Sequence, residues 1–468
     1  MDIDKNLLEK WDKEYIWHPY TQMKEYRESK NLIIERGEGN YLIDIYGNKY
    51  LDAVSSIWCN LFGHSRKEII EAIKNQAEKI CHSTLLGCGN VPSILLAKKL
   101  IDITPKHLTK VFYSEDGAEA VEIAVKMAYQ YYVLRGDKGR TKFISVKEGY
   151  HGDTFGAMSV GGSELFHGVF KPLLFKGYHA NPPYCYRCRY YNFKDTDERN
   201  EKGCNMECLN EMLELIEKHA DEVFCVILEG GVMGSAGMIP FPDGYIEEVA
   251  KACKENDIIF ILDEVATGFG RTGKMFFCDN EEIKKLEKPD ILCLGKGITG
   301  GYLPLAATLT TDEIYNQFLG DFGESKQLYH GHTYTGNQLL CSAALATLEI
   351  FEKENVIENI QPKIKLFHKE LRKLKELEHV GDIRGKGFMV GIELVKNKET
   401  KEPYPYGYKA GYRVAEKLLE KGIYMRPIGN VIILVPPLSI TEEEIIYLCD
   451  SLYDAIKEAD LIIGLSQR

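Results

Sequence analysis

Two stretches decide the fold: Ile258-Ile259-Phe260-Ile261-Leu262-Asp263-Glu264-Val265-Ala266-Thr267-Gly268 and Ile291-Leu292-Cys293-Leu294-Gly295-Lys296-Gly297. Each is an apolar run of strand length with no polar alternation. Such strands are buried on both faces, the mark of a parallel sheet covered by helices. Each run ends on a charge. A carboxylate or an amine at the end of a buried strand is costly unless it meets a partner, and parallel sheets bind ligands beyond their carboxyl ends.

Runs of the same kind occupy Phe143–Val146 and Val223–Leu228, with a short strand at Val111–Tyr113. Helical spacing marks Ile69–Ile80, Ile94–Ile101, Glu119–Leu134, Asn210–Lys218 and Ile246–Glu255. The alternation predicts an α/β fold with a mainly parallel sheet. Asn31–Ala53 reads as an antiparallel meander. After Gln338 the pattern changes to long helices (Leu339–Lys353, Ile357–Leu377), a strand at Gly387–Leu394 and a helix at Tyr408–Lys421. A strand pair (Ile423–Arg426 with Val431–Val435) and a last helix, Glu442–Ala459, follow. The expected organisation is an N-terminal segment, 1–65, joining a small α+β domain at 341–468. Between them lies a large ligand-binding domain, 66–340, with a cysteine-rich insertion at 181–210.

Of 468 residues, 44% are hydrophobic and 27% charged, which excludes a disordered or fibrous chain. With 58 basic and 70 acidic residues the net charge is −12. That gives no global attraction to nucleic acid or to an anionic membrane. No apolar run approaches the ~20 residues of a membrane span, and Met1-Asp2-Ile3-Asp4-Lys5 lacks the basic start of a secretory leader. Most of the thirteen cysteines stand singly in apolar segments (Cys225, Cys253, Cys293, Cys341), as small buried hydrophobes of a reducing cytoplasm. Gly230-Gly231…Gly234…Gly237 lacks the glycine spacing of a nicotinamide site.

A ligand that needs both Asp263 and Lys296 has a basic ring nitrogen at one end and an aldehyde at the other. Pyridoxal phosphate is such a ligand: a lysine amine condenses with the aldehyde, and an aspartate keeps the ring protonated as an electron sink. Its phosphate needs a cradle, and Glu115-Asp116-Gly117-Ala118 precedes the helix expected near Glu119. Tyr150, in Gly149-Tyr150-His151-Gly152-Asp153-Thr154, lies just past a strand end, where an aromatic can stack on a flat ring.

Asp263 to Gly273, including Arg271, and Leu294-Gly295-Lys296-Gly297-Ile298-Thr299-Gly300-Gly301 closely resemble the signature of class III pyridoxal-phosphate aminotransferases. The resemblance implies fold type I and a two-stage amino transfer with Lys296 and Asp263 catalytic. It places Gly117 and Ala118 at the phosphate, with Tyr150 and Val265 on the two ring faces. His330-Gly331-His332-Thr333-Tyr334 resembles a family segment that binds the cofactor phosphate of the neighbouring subunit. His332 and Thr333 thus join the cofactor set, Gly331 the substrate set, and a homodimer with shared sites is implied. Two positions depart from the family: His332 and Gly230, which follows Glu229, each stand where proline is usual.

Trp17-His18-Pro19-Tyr20-Thr21-Gln22-Met23 and Asp52-Ala53-Val54-Ser55-Ser56-Ile57-Trp58 resemble the biotin-synthesis branch of that family, which aminates 8-amino-7-oxononanoate with S-adenosylmethionine as the usual donor. By that resemblance Tyr20 is catalytic and lies against the donor, Ile57, Trp58, Tyr150, Asp153 and Lys296 line the substrate site, and Arg426 holds the keto acid's carboxylate. Ile57 stands where relatives often have tryptophan. The alternatives are lysine as donor, or another ω-aminotransferase of the ornithine, lysine or 4-aminobutyrate type. No metal is expected at the reaction centre, since His330 and His332 show no third ligand. Cys185-x2-Cys188 and Cys204-x3-Cys208 have spacings compatible with zinc, against a reading as a solvent-facing loop of reduced thiols. A zinc ribbon for nucleic acid is opposed by the net charge and the lack of a basic stripe.

Overall fold

The computed structural model describes residues 4–459 and 461. Met1–Ile3 of the chain start, and Asp460 and 462–468 of the expected last unit, lie outside the described residues. The meander forms as expected from β1 (Ile34–Glu38), β2 (Tyr41–Asp44) and β3 (Lys49–Asp52), all antiparallel. The main sheet takes β4 (Leu108–Ser114), β5 (Lys142–Val146), β6 (Tyr178–Ala180) and β7 (Val223–Glu229). A small hairpin, β8 (Val232–Met233) and β9 (Ile239–Pro240), precedes β10 (Ile259–Asp263), β11 (Ile291–Leu294) and β12 (Ala306–Thr311).

Seven strands run in the order β4-β12-β11-β10-β7-β5-β6. Every neighbouring pair from β11 to β6 is parallel, and only β12 runs against its neighbours. Every residue of β7, β10 and β11 is buried, which is why their sequences carry no alternation. The helix Gly117–Leu134 covers one face with Ala120, Val121, Ala124 and Ala128. The mixed α/β fold with a parallel-rich large sheet is as expected, while the antiparallel β12 and the short β6 were not foreseen.

The remaining strands are β13 (Val380–Lys386), β14 (Met389–Asn397), β15 (Glu402–Pro403), β16 (Ile423–Tyr424) and β17 (Val431–Leu434). The expected pairing of the last two is corrected. β17 lies antiparallel on β14, and β16 adds parallel to β3 of the meander. Apolar alternation marks strands but does not choose their partners.

The 181–210 insertion is clipped to β13 and β14. Arg384 is fully buried between Asp382 (3.2 Å) and Glu393 (2.6 Å), and donates to the Gly237 carbonyl at 2.9 Å. Arg187 and Tyr184 of the insertion also donate to Glu393. Removing one partner from such a network strands a buried charge, at about 3–5 kcal/mol. Arg384→Met is therefore expected to lower the urea unfolding midpoint sharply. An unchanged midpoint contradicts the role assigned to this network.

Candidate active site

The carboxyl ends of β4, β5, β7, β10 and β11 open into one cavity of about 680 Å³. Gly117 and Ala118 follow β4, Tyr150 and Asp153 follow β5, and Glu229 ends β7. Asp263 and Val265 come from β10, Lys296 from just past β11, and Trp58 closes one side.

Asp263 is held twice. One carboxylate oxygen accepts from the Val265 amide at 2.9 Å, and the other pairs with His151 Nδ1 at 2.7 Å. The His151 side chain is fully buried, and its Nε2 has no partner. In register Asp263 faces Cys293, three residues before Lys296. Lys296 has φ +42°, in the left-handed region that side chains seldom adopt, and its Nζ lies 5.3 Å from the Trp58 ring centre. Burial pushes its amine below the ordinary lysine value, with Asp263 and Glu229 opposing the shift. The result enlarges the neutral, nucleophilic fraction. Glu229 accepts from the Tyr150 amide (3.2 Å) and the Gly234 amide (2.8 Å).

The helix behind the cradle starts at Gly117, two residues before the expected Glu119, because Asp116 caps it. Asp116 Oδ1 accepts from the Glu119 amide at 3.0 Å, and Glu119 reciprocates. That turns the Asp116 carboxylate back onto its own helix. A side chain at 117 would meet Val265 Cγ1 at 2.4 Å, so only glycine lets this helix start approach the end of β10. The Thr154 and Thr267 hydroxyls, both lining the cavity, are buried without partners. First-turn amides and a helix dipole form a receptor for an anion, in the cavity that the two unpaired hydroxyls also line.

At the rim, Asp153 gathers Tyr20, Tyr150 (2.8 Å) and His167 (3.2 Å). Burial pushes the Asp153 carboxyl up, but these three bonds outweigh it and leave the group below its ordinary value. Burial and Asp153 together push the Tyr20 hydroxyl up to about 12, so it stays a proton donor at neutral pH. Arg426 donates to the Tyr20 carbonyl at 2.7 Å. Phe166 packs edge-on against both tyrosines. Ser55, Ser56, Ile57 and Trp58 all have positive φ, 49°, 49°, 70° and 68°. A left-handed turn of L-residues costs roughly 1–2 kcal/mol each. Ser55 Oγ to the Val435 carbonyl (2.6 Å) and Ser56 Oγ to Asp52 (2.7 Å) hold it.

Gly117, Ala118, Tyr150, Asp153, Val265, Asp263, Lys296 and Trp58 thus share one cavity. Tyr20 and Arg426 connect to it through Asp153 and Tyr20, and Ile57 precedes Trp58 on the strained turn. Gly331, His332 and Thr333 are not in the lining, and Thr333 is exposed. His332 instead pairs with Glu115 (2.6 Å) and Glu119 (3.3 Å), which corrects the expectation that no further ligand-type residue stands nearby. Arg271, buried, donates to the Pro436 and Asn60 carbonyls, both at 2.7 Å, and so braces the loops. His151, Glu229, His167 and Phe166 were not among the candidates. His151 carried a signal, its place beside Tyr150 after a strand end, and so did Glu229, a charge directly after the Val223–Leu228 run.

The model of the class III aminotransferase family matches residues 23–456. The chain belongs to the class III aminotransferases. A curated relative from Methanocaldococcus jannaschii, adenosylmethionine-8-amino-7-oxononanoate aminotransferase, is 95% identical over 98% of this chain and 100% of its own length. The enzyme of the same name from Aquifex aeolicus is 56% identical over 98% and 99%. The crystal structure of the Methanocaldococcus jannaschii aminotransferase superposes with a TM-score of 0.93 at 91% identity, covering 98% of this chain and 100% of that one. The class III architecture, fold type I, is the α/β arrangement expected from the strand runs.

In this aminotransferase, burial pushes the Glu229 carboxyl up to about 7, opposed by His151 and the two amides. A carboxyl raised on folding stabilises fully below the ordinary carboxyl value, and that share is lost as pH rises through about 7. The thermal midpoint of the cofactor-free chain is expected to fall between about pH 5 and 8. Glu229→Gln should lower the midpoint throughout, by loss of one amide bond, and flatten the fall. An equally steep fall in the variant contradicts the assignment.

Proposed function

We propose that this aminotransferase holds pyridoxal phosphate and moves an amino group from S-adenosylmethionine to 8-amino-7-oxononanoate, giving 7,8-diaminononanoate for biotin synthesis. The observation that carries the reading is the rim, where the Tyr20 hydroxyl is tied to Asp153 and its carbonyl to Arg426. An aromatic face and a guanidinium meet at the mouth of a cavity floored by Lys296 and Asp263. The near-full-length identity to enzymes named for these substrates supports it.

The residues fit the cofactor. Gly117 and Ala118 suit its phosphate, Tyr150 and Val265 its two faces, Asp263 its ring nitrogen and Lys296 its aldehyde. Bound there, pyridoxal phosphate supplies a carbonyl for covalent capture and a ring that accepts an electron pair. Asp263, fixed by His151 and the Val265 amide, holds a proton at the ring nitrogen. Lys296 Nζ, depressed by burial, anchors the group and takes the proton that leaves the donor's α-carbon. Tyr20 and Trp58 wall the donor side. Arg426 takes the keto acid's far carboxylate as a charge-assisted pair.

A homodimer with shared sites is part of the reading. Thr333 is exposed outside its own chain's cavity, where it could serve a neighbour's phosphate. Leu86, Val91, Ile94 and Leu95 expose apolar surface that a second copy would cover. The division at 65/66 and 340/341 is supported by β16 returning to the N-terminal meander. A reducing cytoplasm suits thirteen unpaired cysteines, and no helix among the described residues is long and apolar enough to cross a membrane.

Lys296→Ala should lose borohydride-stable attachment of the cofactor and nearly all turnover; full activity refutes the assignment. Arg426→Ala should raise the KM for the keto acid far more than that for the donor, and equal rises remove the carboxylate role. Mixing the loaded enzyme with each donor alone tests donor choice. S-adenosylmethionine should bleach the cofactor band, whereas bleaching by lysine and not S-adenosylmethionine reassigns the donor.

A further inference from the structure

A second concentration of reactive side chains lies in the 181–210 insertion. Residues 181–197 contain neither helix nor strand, yet Tyr186 and Phe193 are buried there. The expected solvent-facing loop is therefore corrected. Cys185, Cys188, Cys204 and Cys208 are all half-buried and unpaired, and all four line one cavity of about 190 Å³.

The backbone presents them as two turns. The Cys188 amide donates to the Cys185 carbonyl at 3.2 Å, closing the first. Gly203, at φ +73°, ends the helix Glu198–Lys202 and delivers Cys204. Cys208 sits in the first turn of the helix Glu207–Lys218, where the dipole favours a thiolate. Arg199 acts on Cys185, and Lys401 on Cys188.

We propose that Cys185, Cys188, Cys204 and Cys208 bind one zinc ion, which fastens the insertion against β13 and β14. Four soft ligands in two Cys-x2/x3-Cys turns are the donor set of a closed structural zinc site, and thiolates select zinc over hard cations such as magnesium. Four thiolates around Zn²⁺ leave a charge of −2, which Arg199 and Lys401 are placed to offset. The four thiol protons leave to solvent as the metal enters. No three of the sulfurs come within 4.8 Å of one another, against roughly 3.8 Å along the edge of a zinc tetrathiolate, so the ion draws the two turns together. A segment with little secondary structure and no disulfide gains most from such a staple. This site is separate from the transamination cavity and does not rest on the proposed substrates.

Full-length protein, produced with zinc available and dialysed into metal-free buffer, should retain about one zinc per chain by elemental analysis. Mercurial titration should release that zinc as four thiols react, and cobalt grown in its place should show the absorption of tetrahedral cobalt–thiolate. Cys188→Ser/Cys204→Ser should lose the zinc while keeping its bound cofactor. Cys81→Ser/Cys88→Ser, which removes two exposed thiols, should keep the zinc. A wild-type protein with no zinc, zinc retained without Cys188 and Cys204, or a disulfide among the four on mass analysis overturns the proposal. If the double serine variant fails to fold, the zinc content and cobalt spectrum of the wild type still decide it.

Discussion

The structure depends on two opposite charges set at the ends of adjacent buried strands. Parallel pairing of β10 and β11 places Asp263 beside Cys293, and the chain turn after β11 then brings Lys296 into the same cavity. In a sheet buried on both faces neither charge could be tolerated alone. His151 and the Val265 amide saturate Asp263 from the protein side, which fixes its orientation. Lys296 receives no such fixing. It keeps a strained backbone and a depressed amine, so the carboxylate is a pillar and the amine is the group free to react. The −12 net charge makes the local arrangement matter more, because an anionic ligand must find its attraction locally, as at the helix start of Gly117, at Lys296 and at Arg426.

Much of this was legible in the chain. Val223–Leu228, Ile258–Leu262 and Ile291–Leu294 could be read because burial on both faces removes alternation, and a charge directly after such a run stands out. β12 escaped because Ala306-Ala307-Thr308-Leu309-Thr310-Thr311 is small and polar, though it is nearly all buried; Thr308 and Thr310 satisfy their hydroxyls on the Ala120 and Asp290 carbonyls. The pairing of β16 with β3 joins residues some 370 positions apart, and no local pattern encodes that. The turn at Ser55–Trp58 was invisible for another reason. Its left-handed backbone is held by Asp52 and the Val435 carbonyl, so distant residues override the preferences of the local ones. Resemblance found the rim residues, but the links through Asp153 and His167 needed coordinates.

The floor and the rim of the site are built differently, and the difference follows from what each must do. The floor residues come from strand ends and a capped helix, where position is fixed by the sheet. Most rim residues come from the 17–23 segment, the 55–58 turn and the loop before β17, gathered by hydrogen bonds to Asp153 and to the Tyr20 carbonyl. Chemistry common to a family needs fixed positions, whereas substrate choice needs surfaces that vary without disturbing the sheet.

The two departures from the family's proline positions obey one rule. At 230 the amide donates to the Asp263 carbonyl at 2.8 Å, and at 332 the amide donates to Thr335 Oγ1 at 3.0 Å. Proline could make neither bond, since it has no N–H. The chain exchanges the stiffness of a ring for a hydrogen bond at each place: at 230 the bond ties the loop to the end of β10, and at 332 it closes a turn within its own loop. At 230 the exchange requires glycine, because a Cβ would lie 2.7 Å from the side chains of Glu264 and Thr267. At 332 the histidine ring pairs with Glu115.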